Sequence, residues 1–93
     1  MGYHETFRAL SDGTRREILM LLRNGSMTAG DIAARFSMTN ATVSHHLAVL
    51  KESNLVVDKR RGKYIYYELN SSVIEEIMMW LLSLKGDAKS EGQ

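Results

Sequence analysis

The sequence predicts a mainly α chain with a single β-hairpin, an α+β domain. Three observations carry that reading. Two short amphipathic helical segments follow Thr28 and Thr39, with only Ser37 and Met38 between them, and so tight a connection makes a helix-turn-helix. The hydrophobic period then falls from 3.6 to two over residues 55–69, the mark of paired strands. A final helical stretch, residues 73–84, is apolar at nine of twelve positions, more than one core-facing stripe requires. Helix-turn-helix, two-stranded wing and surplus apolar helix together specify a winged helix-turn-helix that forms a homodimer.

The elements follow in order. Tyr3, Phe7 and Leu10 recur at i, i+4 and i+7 and define a short first helix. Ser11-Asp12-Gly13 interrupts it. Asp12 caps a second helix over residues 14–23, with Ile18, Leu19, Leu21 and Leu22 apolar, and Asn24-Gly25 closes it. Thr28 and Asp31 have capping-box spacing, and Met27 with Ile32 makes a hydrophobic staple, so a third helix starts sharply and runs to Phe36. Thr39 and the Met38–Val43 pair repeat the device for a fourth helix. Residues 55–60 and 63–69 alternate as strands joined at Arg61-Gly62. Ile65, Tyr67 and Leu69 lie on one face, and Tyr64, Tyr66 and Glu68 on the other. The last helix begins at Ser71 or Ser72 and continues to Lys85. Residues 1–85 thus make one domain, and the polar stretch 86–93 a flexible tail.

Composition narrows the function. At 93 residues the chain is a single small domain, short enough that oligomerisation is expected. It has no cysteine, which removes disulfides, zinc–thiolate sites and thiol redox switching, and fits a cytoplasmic location. The first residues, MGYHETFRALSDG, lack the apolar core of a signal peptide. Net charge is only +1, so a nucleic-acid role rests on where the charge sits. No nucleophile–base–orienter set, glycine-rich phosphate loop or paired acids can be assembled, which argues against an enzyme.

His45 and His46 stand side by side in the fourth helix. At about 100° per residue, Val43, His46, Leu47 and Leu50 form the buried stripe, while Ala41, His45, Ala48 and Glu52 lie nearly opposite. The two imidazoles diverge and do not share a metal, for which i, i+4 spacing is suited. His46 reads as a core-edge histidine bonded to backbone. His45 reads either as a solvated surface residue or as a contact to base or phosphate. Asn40, Ala41, Thr42 and Ser44 favour the contact, because a recognition helix needs short polar side chains that let its backbone approach base edges. A helix selected only for stability would carry Glu, Lys or Gln, and residues 39–50 contain none. Lys59, Arg60, Arg61 and Lys63 surround Gly62. Alone they are a solvated hairpin tip; beside such a helix they sit where a wing meets phosphates or the minor groove. Arg15 and Arg16 occupy the first turn of the second helix, the unfavourable end for cations. They contact phosphate or a carboxylate such as Asp12, and the sequence leaves both open.

The apolar last helix is too short to span a bilayer. Its simplest cover is a second copy of the chain, with Ile77, Trp80, Leu81 and Leu84 meeting their counterparts and Tyr3, Phe7 and Leu10 joining them. A two-fold dimer presents two recognition helices spaced by roughly 34 Å or a small multiple, and its operator is an imperfect inverted repeat.

Three segments carry a resemblance. LSDGTRREILMLL, MTAGDIAARFSMTNATVSHHLAVLKESNLV and KRRGKYIYYEL resemble the ArsR/SmtB-type winged-helix repressors over residues 5–82. MTAGDIA, SHHL and IYYELN are most similar to the SdpR-like branch. The resemblance implies a homodimeric transcriptional repressor on double-stranded DNA. It carries DNA contacts to Thr39, Asn40, Ala41, Thr42, Ser44 and His45, and in the wing to Arg60, Arg61 and Lys63. It places His46 at a structural histidine position. It also implies autoregulation linked to a membrane signalling or immunity protein. Two departures stand out. Gly13 replaces a proline common in the family, which loosens the start of the second helix. Thr28 and Gly30 stand where metal-sensing members carry cysteine, and NSSVIEEIMMWLL has no histidine, so neither metal, cofactor nor small-molecule ligand is expected. The alternative to a repressor is a winged helix used as a protein-interaction module; a metal- or redox-responsive repressor ranks third.

Overall fold

Asp12, Thr28, Thr39 and Asn70 each start a helix. The side-chain oxygen of each accepts a hydrogen bond from the amide three residues on, at 3.0, 3.1, 3.1 and 3.4 Å respectively, satisfying an otherwise orphaned N–H. The computed structural model describes residues 3–86; apart from Gly86, the expected tail lies outside the described residues. The helices are α1 His4–Leu10, α2 Gly13–Leu22, α3 Ala29–Phe36, α4 Asn40–Glu52 and α5 Ser71–Ser83. Asp12 holds the start of α2 although Gly13 is its first residue. α5 begins at Ser71, one of the two starts the sequence suggests, and its cap is Asn70.

Both helices of the helix-turn-helix end the same way. Ser37 and Asn54 adopt left-handed φ of 55° and 65°. The amides of Met38 and Leu55 then reach back to Ala33 O at 3.2 Å and Leu50 O at 3.0 Å, the bond that turns the chain out of a helix. The link from α3 to α4 is therefore Ser37, Met38 and the Thr39 cap.

The strands are β1 Met27–Thr28, β2 Val56–Arg61 and β3 Tyr64–Leu69, in the order β1-β3-β2. β1, which pairs Met27 with Tyr67 and Thr28 with Tyr66, was not expected: two residues have no period to read. The hairpin turn is one residue later than the sequence suggests. Arg61 pairs with Tyr64, which leaves Gly62-Lys63 as the turn. Gly62 has φ of 63° and Lys63 is not in the left-handed region, the pattern of a type II′ turn matched to strand twist.

Ile18, Leu22, Ile32, Ala33, Val43, Leu47, Leu50, Leu55 and Val56 form the core, with Ala9 and Ile77. The predicted stripe of α4 is buried at Val43, Leu47 and Leu50, with His46 at its half-buried edge. Each fully buried aliphatic side chain contributes about 1.5–3 kcal/mol, and this cluster fixes α4 against α2, α3 and the sheet. α1 buries only its small residues, Thr6 and Ala9. Its larger Tyr3, Phe7 and Leu10 face sideways, toward α5.

Candidate nucleic-acid interface

The first half of α4 projects a short, polar surface. Thr39, Asn40, Ala41, Thr42, Ser44 and His45 are all exposed. Thr39 does two jobs at the helix start. Its hydroxyl oxygen accepts from the Thr42 amide and its hydroxyl donates to Thr42 Oγ1 at 2.9 Å, so the two threonines lock each other's rotamers. The N-terminus of α4 also brings partial positive charge to the same place. His45 lies at the edge of this surface, beside a cavity of about 220 Å³ that it lines with Glu5, Arg8, Arg15, Val49, Glu52 and Ser53.

The wing is less cationic than its sequence suggests. Lys59 Nζ is 2.7 Å from Glu68 Oε2, and this hydrogen-bonded cation holds the Glu68 carboxyl below its ordinary range. Arg60, Arg61 and Lys63 remain exposed at the tip. Strand register puts Arg61 on the same face as Tyr64, Tyr66 and Lys59, and Arg60 with Ile65 on the opposite face. Arg61 lies over the Tyr66 ring at 5.1 Å and Lys63 over the Tyr64 ring at 5.6 Å. Such contacts orient a cation without neutralising it. Lys51 Nζ joins Asp58 at 2.8 Å and ties the end of α4 to the wing. That bond lowers the Asp58 carboxyl and raises the Lys51 ammonium from their usual values.

Three side chains settle differently from their sequence reading. The Arg15 Nε donates to Ala9 O at 2.9 Å, and Arg16 donates to Leu10 O at 2.8 Å. Both cations therefore serve the carbonyl end of α1, where the helix dipole favours them, and among the described residues neither forms a salt bridge with a carboxylate side chain. Asp12 accepts from the Arg15 amide, the main cause that holds its carboxyl below the usual range. His46 is not bonded to backbone: its Nδ1 stands 3.4 Å from the Arg15 guanidinium. The helix-spacing argument finds the edge position of His46, but its partner lies 31 residues away in sequence. Among the described residues no group of three His, Asp or Glu side chains comes together as a metal-binding cluster.

Residues 12–57 match the family described as bacterial regulatory protein, arsR family. The transcriptional repressor SdpR of Bacillus subtilis is 46% identical over 86 residues, covering 90% of this chain and 96% of that one. The chain belongs to the arsR family. As an ArsR-family protein it is a DNA-binding transcriptional regulator, not an enzyme. Solved ArsR-type structures share the fold. An ArsR-like transcriptional regulator from Rhodococcus sp. RHA1 superposes with a TM-score of 0.82 at 26% identity, over 94% of this chain and 82% of that one. A homodimeric winged helix-turn-helix DNA-binding domain from Mycobacterium bovis gives 0.74 at 28% identity, over 87% and 75%.

The outer face of α5, with the adjoining side of α1, is largely apolar. Phe7, Trp80 and Leu84 are 37%, 40% and 65% exposed, and Met78, Met79, Leu81 and Leu82 are exposed with them. Tyr3, Phe7 and Trp80 cluster with ring centroids 5.5–6.0 Å apart, joining α1 to α5 in one face. Ile77, expected on that face, is only 7% exposed and belongs to the protomer's own core. It lies at the centre of the inward stripe of α5, so the outward residues are those flanking it.

Proposed function

We propose that this chain is a sequence-specific repressor that binds DNA as a homodimer on an imperfect inverted repeat, in the cytoplasm. The observation that carries the reading is the pairing of two surfaces on one small fold. One is the short-side-chain, exposed start of α4 flanked by the Arg60–Lys63 wing tip. The other is the apolar face of α1 and α5, which a second copy covers.

In this reading Asn40, Ala41, Ser44 and His45 approach base edges, with Thr39 and Thr42 fixing the helix start against a phosphate. Arg60, Arg61 and Lys63 add phosphate or minor-groove contacts. Tyr3, Phe7, Leu10, Trp80, Leu81 and Leu84 form the dimer face, and two-fold symmetry sets the spacing of the recognition helices. Binding of the chain's own promoter, with loss of expression when the protein is added to a transcription reaction, tests repression and autoregulation together. Nothing in the fold or in the relatives supports the membrane signalling or immunity partner that the sequence resemblance implies.

A further inference from the structure

Arg15 belongs to neither surface, yet it joins them. Its amide is held by the Asp12 cap at 3.0 Å, so the side chain leaves α2 from a fixed point. Nε donates to Ala9 O at 2.9 Å and one terminal nitrogen to Arg8 O at 3.4 Å, at the carbonyl end of α1. The other terminal nitrogen stands 3.4 Å from Nδ1 of His46, on the core edge of α4. A guanidinium offers donors only. The contact therefore exists while Nδ1 keeps its lone pair and Nε2 carries the ring proton.

We propose that Arg15 is a positioning residue, a strut that fixes the recognition helix against the dimer-face helix α1, and that proton uptake by His46 breaks the strut and lowers DNA affinity. This deepens the repressor reading and rests on it.

The chemistry is direct. Protonated imidazole has two N–H donors and no acceptor. Its Nδ1–H would then face a second cation with nothing between them to accept. The charged or titratable groups that face His46 are Arg15 and Asp12 at the start of α2 and His45 beside it on α4. Asp12 favours the imidazolium, but the Arg15 amide is its main partner. The His45 ring centroid is 5.8 Å from that of His46. The guanidinium has somewhere to go: the 220 Å³ cavity that Glu5, Arg8, His45 and Glu52 line beside it. With the strut gone, α4 is tied to α1 near its far end, where Thr6 Oγ1 donates to Ser53 O at 3.4 Å. The core contacts of Val43, Leu47 and Leu50 still hold α4, so the loss of the strut shifts the reading end only slightly, but about 1 Å of play is enough to weaken a reading site.

The test compares operator affinity at about pH 8 and about pH 6 for the wild type and His46→Gln, whose amide oxygen stays an acceptor at both values. His4 and His45 are present in both proteins, so the difference between the profiles reports the substitution at His46. The wild type should lose about tenfold more affinity than His46→Gln, the equivalent of about 1.4 kcal/mol. Superimposable profiles would overturn the proposal. Arg15→Lys keeps a cation at α1 but lacks the fork, and should bind weakly at both pH values; wild-type affinity and profile in that variant would also overturn it. A readout without DNA keeps the two ideas apart. In the free protein the amide NMR signals of Ala9 and Leu10 should titrate with the His46 imidazole, and cease to do so in Arg15→Gln. No shared midpoint refutes the strut whatever the operator does. A shared midpoint without operator binding upholds the strut and refutes the repressor reading.

Discussion

Trp80→Glu tests the apolar face most sharply. A tryptophan side chain buries up to about 250 Å², so at 40% exposure Trp80 leaves about 100 Å² on the surface. At about 25 cal/mol per Å², covering that area contributes about 2.5 kcal/mol per protomer, and two-fold symmetry doubles it to about 5 kcal/mol. Glutamate removes this and sets a carboxylate against apolar surface. Each 1.4 kcal/mol is tenfold, so the dimer dissociation constant should rise more than about a thousandfold. Sedimentation velocity over a dilution series reads that change directly. Trp80 also packs on Tyr3 and Phe7 within its own protomer, so circular dichroism must show the helices retained. Leu84→Glu, beyond the end of α5 and 65% exposed, should weaken the dimer while sparing the fold. A folded Trp80→Glu or Leu84→Glu protein that stays dimeric at the wild-type concentration would refute the assignment of the face.

The other predictions concern the DNA side and acid stability. His45→Ala should weaken operator binding by about 1–3 kcal/mol and random-DNA binding by less; equal losses in a competition gel shift would remove His45 from base reading. Replacing Arg60 and Arg61 together with alanine should lower affinity on all sequences and reduce the salt slope by about one unit per lost phosphate contact; an unaltered slope would take the wing tip off the DNA. Asp12, Asp58 and Glu68 are all held below their ordinary pKa by hydrogen-bonded partners. Their stabilisation is present above the unfolded carboxylate value and is lost as pH falls through the depressed folded values, so the melting temperature should hold near neutrality and drop below about pH 4. A melting temperature that stays level through that range would mean these contacts contribute nothing.

The helices were legible because their starts are written locally. Asp12, Thr28 and Thr39 cap as spacing predicts, and the stripe of α4 follows from counting turns. What escaped depends on distant partners. β1 exists only because Met27 and Thr28 meet Tyr67 and Tyr66. The turn slipped one residue because Arg61 keeps its pairing with Tyr64, and cation counting cannot see that Lys59 is neutralised by Glu68 across the hairpin. The nine candidate DNA residues are all on the surface, as expected for short polar side chains off the hydrophobic stripe. Ile77 shows the limit of counting apolar residues. An all-round apolar helix announces a second partner, but only packing decides which of its residues the protomer keeps for itself.

The most direct test of the central claim is selection of bound sequences from random duplex DNA at about 150 mM salt, where purely electrostatic binding is suppressed. An enriched imperfect inverted repeat, with half-sites about one helical turn apart or a small multiple, is the predicted result. Recovery of no motif from folded, dimeric protein would contradict sequence-specific repression and make the apolar face of α5 a protein-docking surface instead.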